Sequence, residues 1–156
     1  MKVCLFGGTF DPPHLGHLII AQTIFEAENF DQIVFVPAYQ PPHKNGMKIS
    51  PVDQRLEMLN IAIKENPNFI MSDLEIERKG LSYSIDTIME YKKQNNLNSN
   101  ELFYLMGSDS LRQFKKWKDP KMIIDESRVI VAIRPGFRPS DIPNWIVAKI
   151  QFASIP

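Results

Sequence analysis

The sequence predicts an α/β fold, in which a doubly wound parallel sheet carries helices on both faces. Short, almost continuously apolar runs alternate with helical patterns along the chain. Such runs are typical of parallel strands covered on both sides, and their alternation with helices implies right-handed crossover connections. The chain has 156 residues, 44% of them hydrophobic, which is enough for one buried core, so we expect a single domain over residues 1–156.

Four apolar runs are predicted as strands, and a fifth segment shows a weaker strand pattern. The four runs are Val3–Phe6, Ile33–Val36, Leu102–Met106 and Val129–Ile133. The segment Ile70–Ile76 alternates loosely between apolar and polar residues, which suggests an extra strand. The stretch Pro37–Ile49 is rich in proline and has no period, which is typical of a functional loop.

Helices are predicted between these strands. They run from about Gly16 to Ala27, from Ser50 to about Asn66, from Ser84 onward, and over Ser108–Lys116 and Pro120–Ile124. The second has the clearest start, because Ser50 is a favourable cap, Pro51 suits the first turn and Asp53 completes a pattern like a capping box. Its predicted buried stripe comprises Val52, Leu56, Leu59 and Ile63.

Composition argues against several classes of function. Lysine plus arginine number 18 and aspartate plus glutamate number 18, so the chain lacks the basic footprint of a nucleic-acid-binding protein. The first apolar run is too short for a signal peptide, and no run approaches the roughly 20 residues of a membrane span. Cys4 is the single cysteine, so no intrachain disulfide can form, and this fits the reducing cytoplasm. Taken together, these observations predict a cytoplasmic protein that binds neither nucleic acid nor membranes, and a homo-oligomer is left open.

The most informative segment is Phe6–His17, FGGTFDPPHLGH, which follows the first strand and opens the first helix. In such sheets ligands bind at the carboxyl ends of the strands. Gly7 and Gly8 allow a ligand to approach the backbone closely, and a helix N-terminus attracts phosphate. His14 and His17 lie on one side of the first helical turn, so both imidazoles can donate hydrogen bonds to phosphate oxygens. The segment therefore predicts a phosphate site.

Other interpretations of this segment are less favoured. It contains neither the GxGxxG fingerprint of dinucleotide-binding proteins nor the Lys-Ser/Thr pair of a P-loop. The histidines would also suit a plain helix cap. His14, His17 and His43 together would suit a catalytic zinc site in a hydrolase, although that reading leaves the glycines without a role.

The string His-x-Gly-His after Gly-Gly-Thr-Phe-Asp-Pro resembles the signature of the nucleotidylyltransferase superfamily, whose fold is Rossmann-like. Three further segments narrow the resemblance to bacterial nicotinate mononucleotide adenylyltransferase. They are Pro37–Lys44, Ser82–Thr87, and Gly107–Leu111 with Phe114 and Trp117 after it. The resemblance implies adenylyl transfer from ATP to nicotinate mononucleotide, giving deamido-NAD and pyrophosphate with Mg²⁺ present and no covalent enzyme intermediate.

The resemblance also implies roles at the ATP end of the site. His14 and His17 would bind phosphates and stabilise the transition state, with Lys44 as a further catalytic candidate on the proline-rich loop. The remaining ATP and phosphate candidates are Gly7, Gly8, Thr9, Phe10, Gly107, Asp109 and Arg134. No residue is expected to be a metal ligand.

At the other end, the resemblance implies a nicotinate mononucleotide site. The cationic pyridine ring would stack on the indole of Trp117, and the helix start at Tyr83 and Ser84 would hold its carboxylate. Thr87 and Lys118 complete the predicted contacts, and Ser84 also suits a helix cap. Because nicotinamide presents an NH₂ group to these donors, the arrangement predicts a preference for the acid over the amide.

Two other functions stay open at this point. Pantetheine-phosphate adenylyltransferase belongs to the same superfamily and is close in length, but the segments Pro41–Lys44 and Ser82–Thr87 and the tryptophan at 117 resemble the nicotinate enzyme. A non-catalytic nucleotide-binding module is the second alternative. In the nicotinate family a Ser-Ser/Thr-x-x-Arg motif follows a segment like Gln151–Pro156, and it is absent here, so we expect a chain that is C-terminally incomplete relative to the family and weak in turnover.

Overall fold

A parallel sheet forms the centre of the computed structural model, which describes residues 1–44 and 47–156, with the backbone only at Lys44. Its strands are β1 (Val3–Gly8), β2 (Gln32–Pro37), β3 (Phe69–Met71), β4 (Leu102–Gly107), β5 (Arg128–Ile133) and β6 (Gln151–Ser154). Their order is β3-β2-β1-β4-β5-β6, and all pairs are parallel. The order reverses direction between β1 and β4, which is the point where such folds bind ligands.

Helices cover both faces of the sheet. They are α1 (Leu15–Glu28), α2 (Val52–Ile63), α3 (Leu74–Arg78), α4 (Ser84–Gln94), α5 (Ser108–Gln113), α6 (Pro120–Glu126) and α7 (Asn144–Val147). Short 3₁₀ turns occupy Pro42–Lys44, Phe114–Lys116 and Pro139–Asp141. The predicted Rossmann-like, doubly wound α/β architecture is confirmed.

Two apolar cores lie on opposite faces because strand side chains alternate. In β1, Cys4 and Phe6 pack into the core beneath α1 and α2, whereas Val3 and Leu5 pack into the core beneath the later helices. Cys4 is fully buried, and burial raises the pKa of its thiol. This agrees with its interpretation as a small core residue.

The start of α2 differs from the prediction. Pro51 occupies the cap position without a side-chain hydrogen bond, so neither Ser50 nor Asp53 acts as a cap. Ser50 instead donates its backbone N–H to Asp11 Oδ2 at 2.8 Å, which ties this segment to the loop after β1. Leu59 and Ile63 are buried as expected, but Val52 and Leu56 are only half-buried, because the fully buried position in the first turn belongs to Arg55.

The segment Ile70–Ile76 is only partly a strand. Phe69–Met71 pairs with β2 as an edge strand, and the chain then turns into the short helix α3. The predicted helix over Ser108–Lys116 is α5 followed by a 3₁₀ turn. The sequence patterns missed α7 and β6, since these four-residue elements are too short to show a period and are held by pairing with β5 and by the buried Ile146.

Candidate functional site

A cleft of about 940 Å³ opens at the carboxyl edge of the sheet, where β1 and β4 end. Its walls come from segments far apart in the sequence: the loop after β1, the start of α1, the proline-rich loop, the start of α4, and the ends of β4 and β5. The predicted site residues that line it are Gly7, Gly8, Thr9, Phe10, His14, His17, Tyr83, Ser84, Gly107, Asp109, Trp117, Lys118 and Arg134. Thr87 does not line it, and the side chain of Lys44 lies outside the described part of the chain.

The two histidines form one stacked pair at the start of α1. Their ring centroids are 3.8 Å apart with 20° between the planes. His14 occupies the cap position and is exposed, whereas His17 is half-buried against the edge of Phe10, with centroids 5.1 Å apart. Both rings thus belong to the cleft wall, at the N-terminal end of α1.

The charge state of His17 follows from its surroundings. Partial burial, and then the neighbouring His14, lowers its pKa from the ordinary 6.5 to about 4. His17 Nδ1 accepts a hydrogen bond from the backbone N–H of His14 at 3.1 Å, so the neutral ring carries its proton on Nε2. At neutral pH this ring therefore offers an N–H donor to the cleft. Because the folded pKa lies below the unfolded value, this group stabilises the fold less as the pH falls from about 6.5 toward 4.

Three glycines permit this geometry because a side chain at each would meet an aromatic or imidazole group. A Cβ at Gly16 would lie 2.9 Å from the ring of His14, and one at Gly7 would lie 2.7 Å from the hydroxyl of Tyr104. At Gly8, a Cβ would lie 3.1 Å from the ring of Phe10. The absence of a side chain at Gly16, the glycine within His-x-Gly-His, thus leaves room for the ring of His14.

Arg55 supports the site from behind the cleft wall, and the sequence analysis did not identify it. Its guanidinium is buried and donates to three carbonyls: Nη1 to Thr9 at 3.0 Å and to Ala38 at 2.7 Å, and Nε to Ser50 at 3.0 Å. Nη2 is buried and finds no partner among the described residues. Burial lowers the pKa of Arg55, and the charge of Asp11 opposes this. The side chain therefore joins the glycine loop to the segments that follow β2 and precede α2.

The opposite end of the cleft is formed by α4, Trp117 and Lys118. Tyr83 is the cap residue of α4, and Ser84 bonds with its Oγ to the hydroxyl of Tyr104 at 2.9 Å, so Ser84 does not act as the cap. No side chain caps the first turn of this helix, where the N–H of Asp86 donates to the Tyr83 carbonyl at 3.2 Å. Lys118 pairs with Asp86 at 3.1 Å and lies 4.8 Å from the ring centre of Tyr83.

Trp117 presents an aromatic wall at this end. Its ring is near-parallel to that of His43, with centroids 5.8 Å apart and 23° between planes, and meets Tyr104 edge-on. His43 thus lies with Trp117, away from the stacked histidine pair. Among residues 1–44 and 47–156 no group of three or more histidine, cysteine or acidic residues is arranged to hold a metal ion.

A buried carboxyl group, also missed in the sequence analysis, lies in this wall. Glu75 of α3 is 5% exposed and lines the cleft. Thr87 donates its hydroxyl to Glu75 Oε2 at 2.7 Å and accepts a bond from Arg78 at 2.9 Å, which explains why Thr87 lies behind the cleft wall and not in it. Burial raises the pKa of Glu75 to about 7, against the opposing hydrogen bond of Thr87.

The model of the cytidylyltransferase-like family matches residues 5–154. A probable nicotinate-nucleotide adenylyltransferase of Aquifex aeolicus is 42% identical over 132 residues, which cover 85% of this chain and 77% of that protein. The chain belongs to this family, among the nicotinate-nucleotide adenylyltransferases. The Thermomicrobium roseum member is 41% identical over 135 residues, which cover 86% of this chain but only 62% of that protein.

Solved structures of nicotinate-nucleotide adenylyltransferases share the fold. The nicotinic acid mononucleotide adenylyltransferase of Plasmodium falciparum complexed with NaAD superposes with a TM-score of 0.77 at 20% identity, covering 99% of this chain and 74% of that one. A putative enzyme from Vibrio parahaemolyticus gives 0.68 at 20% identity, over 85% and 74% of the two chains. Within the described residues, no helix combines the length and apolar character needed to cross a bilayer.

Proposed function

We propose that this chain transfers the adenylyl group of ATP to nicotinate mononucleotide, forming deamido-NAD and pyrophosphate. The observation that supports this most directly is a single cleft with a phosphate-type end, at His14 and His17, and an aromatic, anion-accepting end, at Ser84 and Trp117. Its volume of about 940 Å³ lies at the upper end of ligand pockets. The names of the relatives, probable nicotinate-nucleotide adenylyltransferases, point to adenylyl transfer with a nicotinate nucleotide.

At the phosphate end the reaction needs hydrogen-bond donors from the protein, because the substrate's own phosphate is the nucleophile. A 5′-phosphate oxygen of the mononucleotide attacks the α-phosphorus of ATP, and the bond from that phosphorus to the leaving pyrophosphate breaks. Nε2–H of His17, the exposed ring of His14 and the first-turn N–H groups of α1 would hold the negative oxygens during this exchange. Gly107, Asp109 and Arg134 complete the nucleotide side, and Lys44 stays a candidate on the proline-rich loop.

Magnesium is proposed as a companion of the triphosphate. Mg²⁺ is commonly held by one or two carboxylates together with substrate phosphates and water, and it neutralises charge on the phosphates. Besides the buried Glu75, the cleft wall contains the carboxylates of Asp11 and Asp109, and the described residues hold no acidic cluster, a donor set that fits an ion carried mainly by the nucleotide.

A pyrophosphate-release assay tests the proposed reaction. ATP is supplied in turn with nicotinate mononucleotide, nicotinamide mononucleotide and phosphopantetheine, and the first is expected to give the highest kcat/KM. Release with phosphopantetheine alone would instead assign the pantetheine-phosphate reaction. Calorimetric binding of ATP without any release would assign a nucleotide-binding module.

Replacement of Trp117 by alanine tests the nicotinate end. The loss of the stacked indole is expected to raise KM for nicotinate mononucleotide about tenfold while leaving KM for ATP within about twofold, since cation–π contacts contribute about 0.5–2 kcal/mol. The control is Trp145→Ala, because Trp145 is 38% exposed and lies outside the cleft. A parallel rise of both KM values in Trp117→Ala would contradict the assignment.

A further inference from the structure

Glu75 is the only buried acidic side chain in the cleft wall among the described residues. Its carboxyl group is 2.7 Å from Thr87 Oγ1, and Thr87 lies three residues after Ser84 on α4. Residues at this spacing are neighbours on a helix surface, with Cβ atoms about 5–6 Å apart. The Glu75 carboxyl is therefore close to the helix start that we propose for the nicotinate carboxylate.

The groups around Glu75 only partly offset the cost of a negative charge there, because burial outweighs the charge of Arg78 and the hydrogen bonds of Thr87 and Ser82, which favour the ionised form. Arg78, on the same helix, donates to Thr87 and is shared with Glu90 of α4 at 3.4 Å. From β4 the hydroxyl of Tyr104 faces it, and the negative charge of Glu75 helps to raise the pKa of that tyrosine. Ser82 bonds to Glu75 through its hydroxyl, and that same oxygen accepts the backbone N–H of Tyr39 at 2.9 Å.

On the basis of the proposed function, we infer that Glu75 is a specificity-determining residue for the pyridine substituent. Protonated Glu75 admits the anionic carboxylate of nicotinate mononucleotide, whereas ionised Glu75 repels it and tolerates the neutral amide of nicotinamide mononucleotide. Binding of the acid substrate and protonation of Glu75 thus favour each other, because two neighbouring carboxylates in a poorly solvated site repel when both are ionised.

The sign of the pH dependence follows from the position of this group. With a pKa of about 7, Glu75 passes from mostly protonated to mostly ionised across neutral pH. If only the protonated form accepts the acid, the ratio of kcat/KM for nicotinate over nicotinamide mononucleotide falls about tenfold from about pH 6 to about pH 8. Both substrates carry the same 5′-phosphate and react with the same ATP, so titration of those groups cancels in the ratio.

The experiment measures this ratio across that pH range for the full chain and for two variants. Glu75→Gln keeps the shape and the contact with Thr87 but carries no charge, so its ratio is expected to be flat. Glu77→Gln on the exposed side of the same helix is the matched control and is expected to follow the unaltered chain. A flat ratio in the unaltered chain, or a Glu75→Gln ratio that still falls with pH, would overturn the inference.

Calorimetry supplies a readout that does not depend on the variant folding. Binding at about pH 7.5 in two buffers of different ionisation enthalpy is expected to show about one-half to one more proton taken up with nicotinate than with nicotinamide mononucleotide. Equal uptake with the two ligands would overturn the inference. The failure of the proposed function gives a different result, namely no pyrophosphate release with either mononucleotide at any pH.

Discussion

Replacement of His17 by alanine is expected to lower kcat with ATP and nicotinate mononucleotide by about 100-fold or more, the usual effect of removing one donor that stabilises developing negative charge. The ring stacks on His14, is held by a backbone N–H through Nδ1, and offers Nε2–H to the cleft. The measurement is steady-state pyrophosphate release at neutral pH, with circular dichroism to verify the fold.

Two amide variants separate the catalytic part of His17 from its local structural part. Asparagine at position 17 places its carbonyl near the Nδ1 position and preserves the bond from the N–H of His14, whereas glutamine reaches the Nε2 position with an N–H donor. We therefore expect His17→Gln to retain more turnover than His17→Asn. The reverse order, or unchanged rates in His17→Ala, would remove the donor role and leave His17 as part of the helix start.

Replacement of Arg55 by methionine is expected to lower the free energy of unfolding by about 3 kcal/mol, because the carbonyls of Thr9, Ala38 and Ser50 lose their donor. For a chain of this length the corresponding fall in Tm is about 6–12 °C. Turnover is expected to fall as well, since the Thr9 carbonyl belongs to the glycine loop that lines the cleft. Thermal and urea unfolding measure the first effect, and pyrophosphate release below the transition measures the second.

The matched control for this change is Arg112→Met. Arg112 is half-exposed and pairs with the exposed Asp141 at 3.7 Å, so its loss is expected to change stability by less than about 1 kcal/mol. If Arg55→Met were as stable and as active as Arg112→Met, the three carbonyl contacts would have no energetic importance. Arg55→Lys is expected to lie between them, because an ammonium keeps the charge but lacks the planar fork that reaches separate carbonyls.

Two residues mark the limit of what local pattern could identify. Arg55 lies four residues before Leu59 and eight before Ile63, so it occupies a position of the buried stripe of α2. A charged residue at such a position indicates a buried polar contact. Its partners Thr9 and Ala38 are brought to it only by the sheet order and the crossover between β1 and β2. Glu75 carried no signal at all, because its burial depends on α4 and β4 packing over a helix of five residues.

The sequence by itself determined the parallel sheet, the glycine loop with its histidine pair after the first strand, and the family, because apolar period, glycine placement and motif spacing are local properties of the chain. Tertiary structure decided which groups share the cleft. In the folded chain Glu75 lines the cleft and Thr87 does not. His43 lies beside Trp117, and Arg55 lies beneath the glycine loop. These outcomes depend on contacts between segments distant in sequence, and burial and pKa arise only from such contacts.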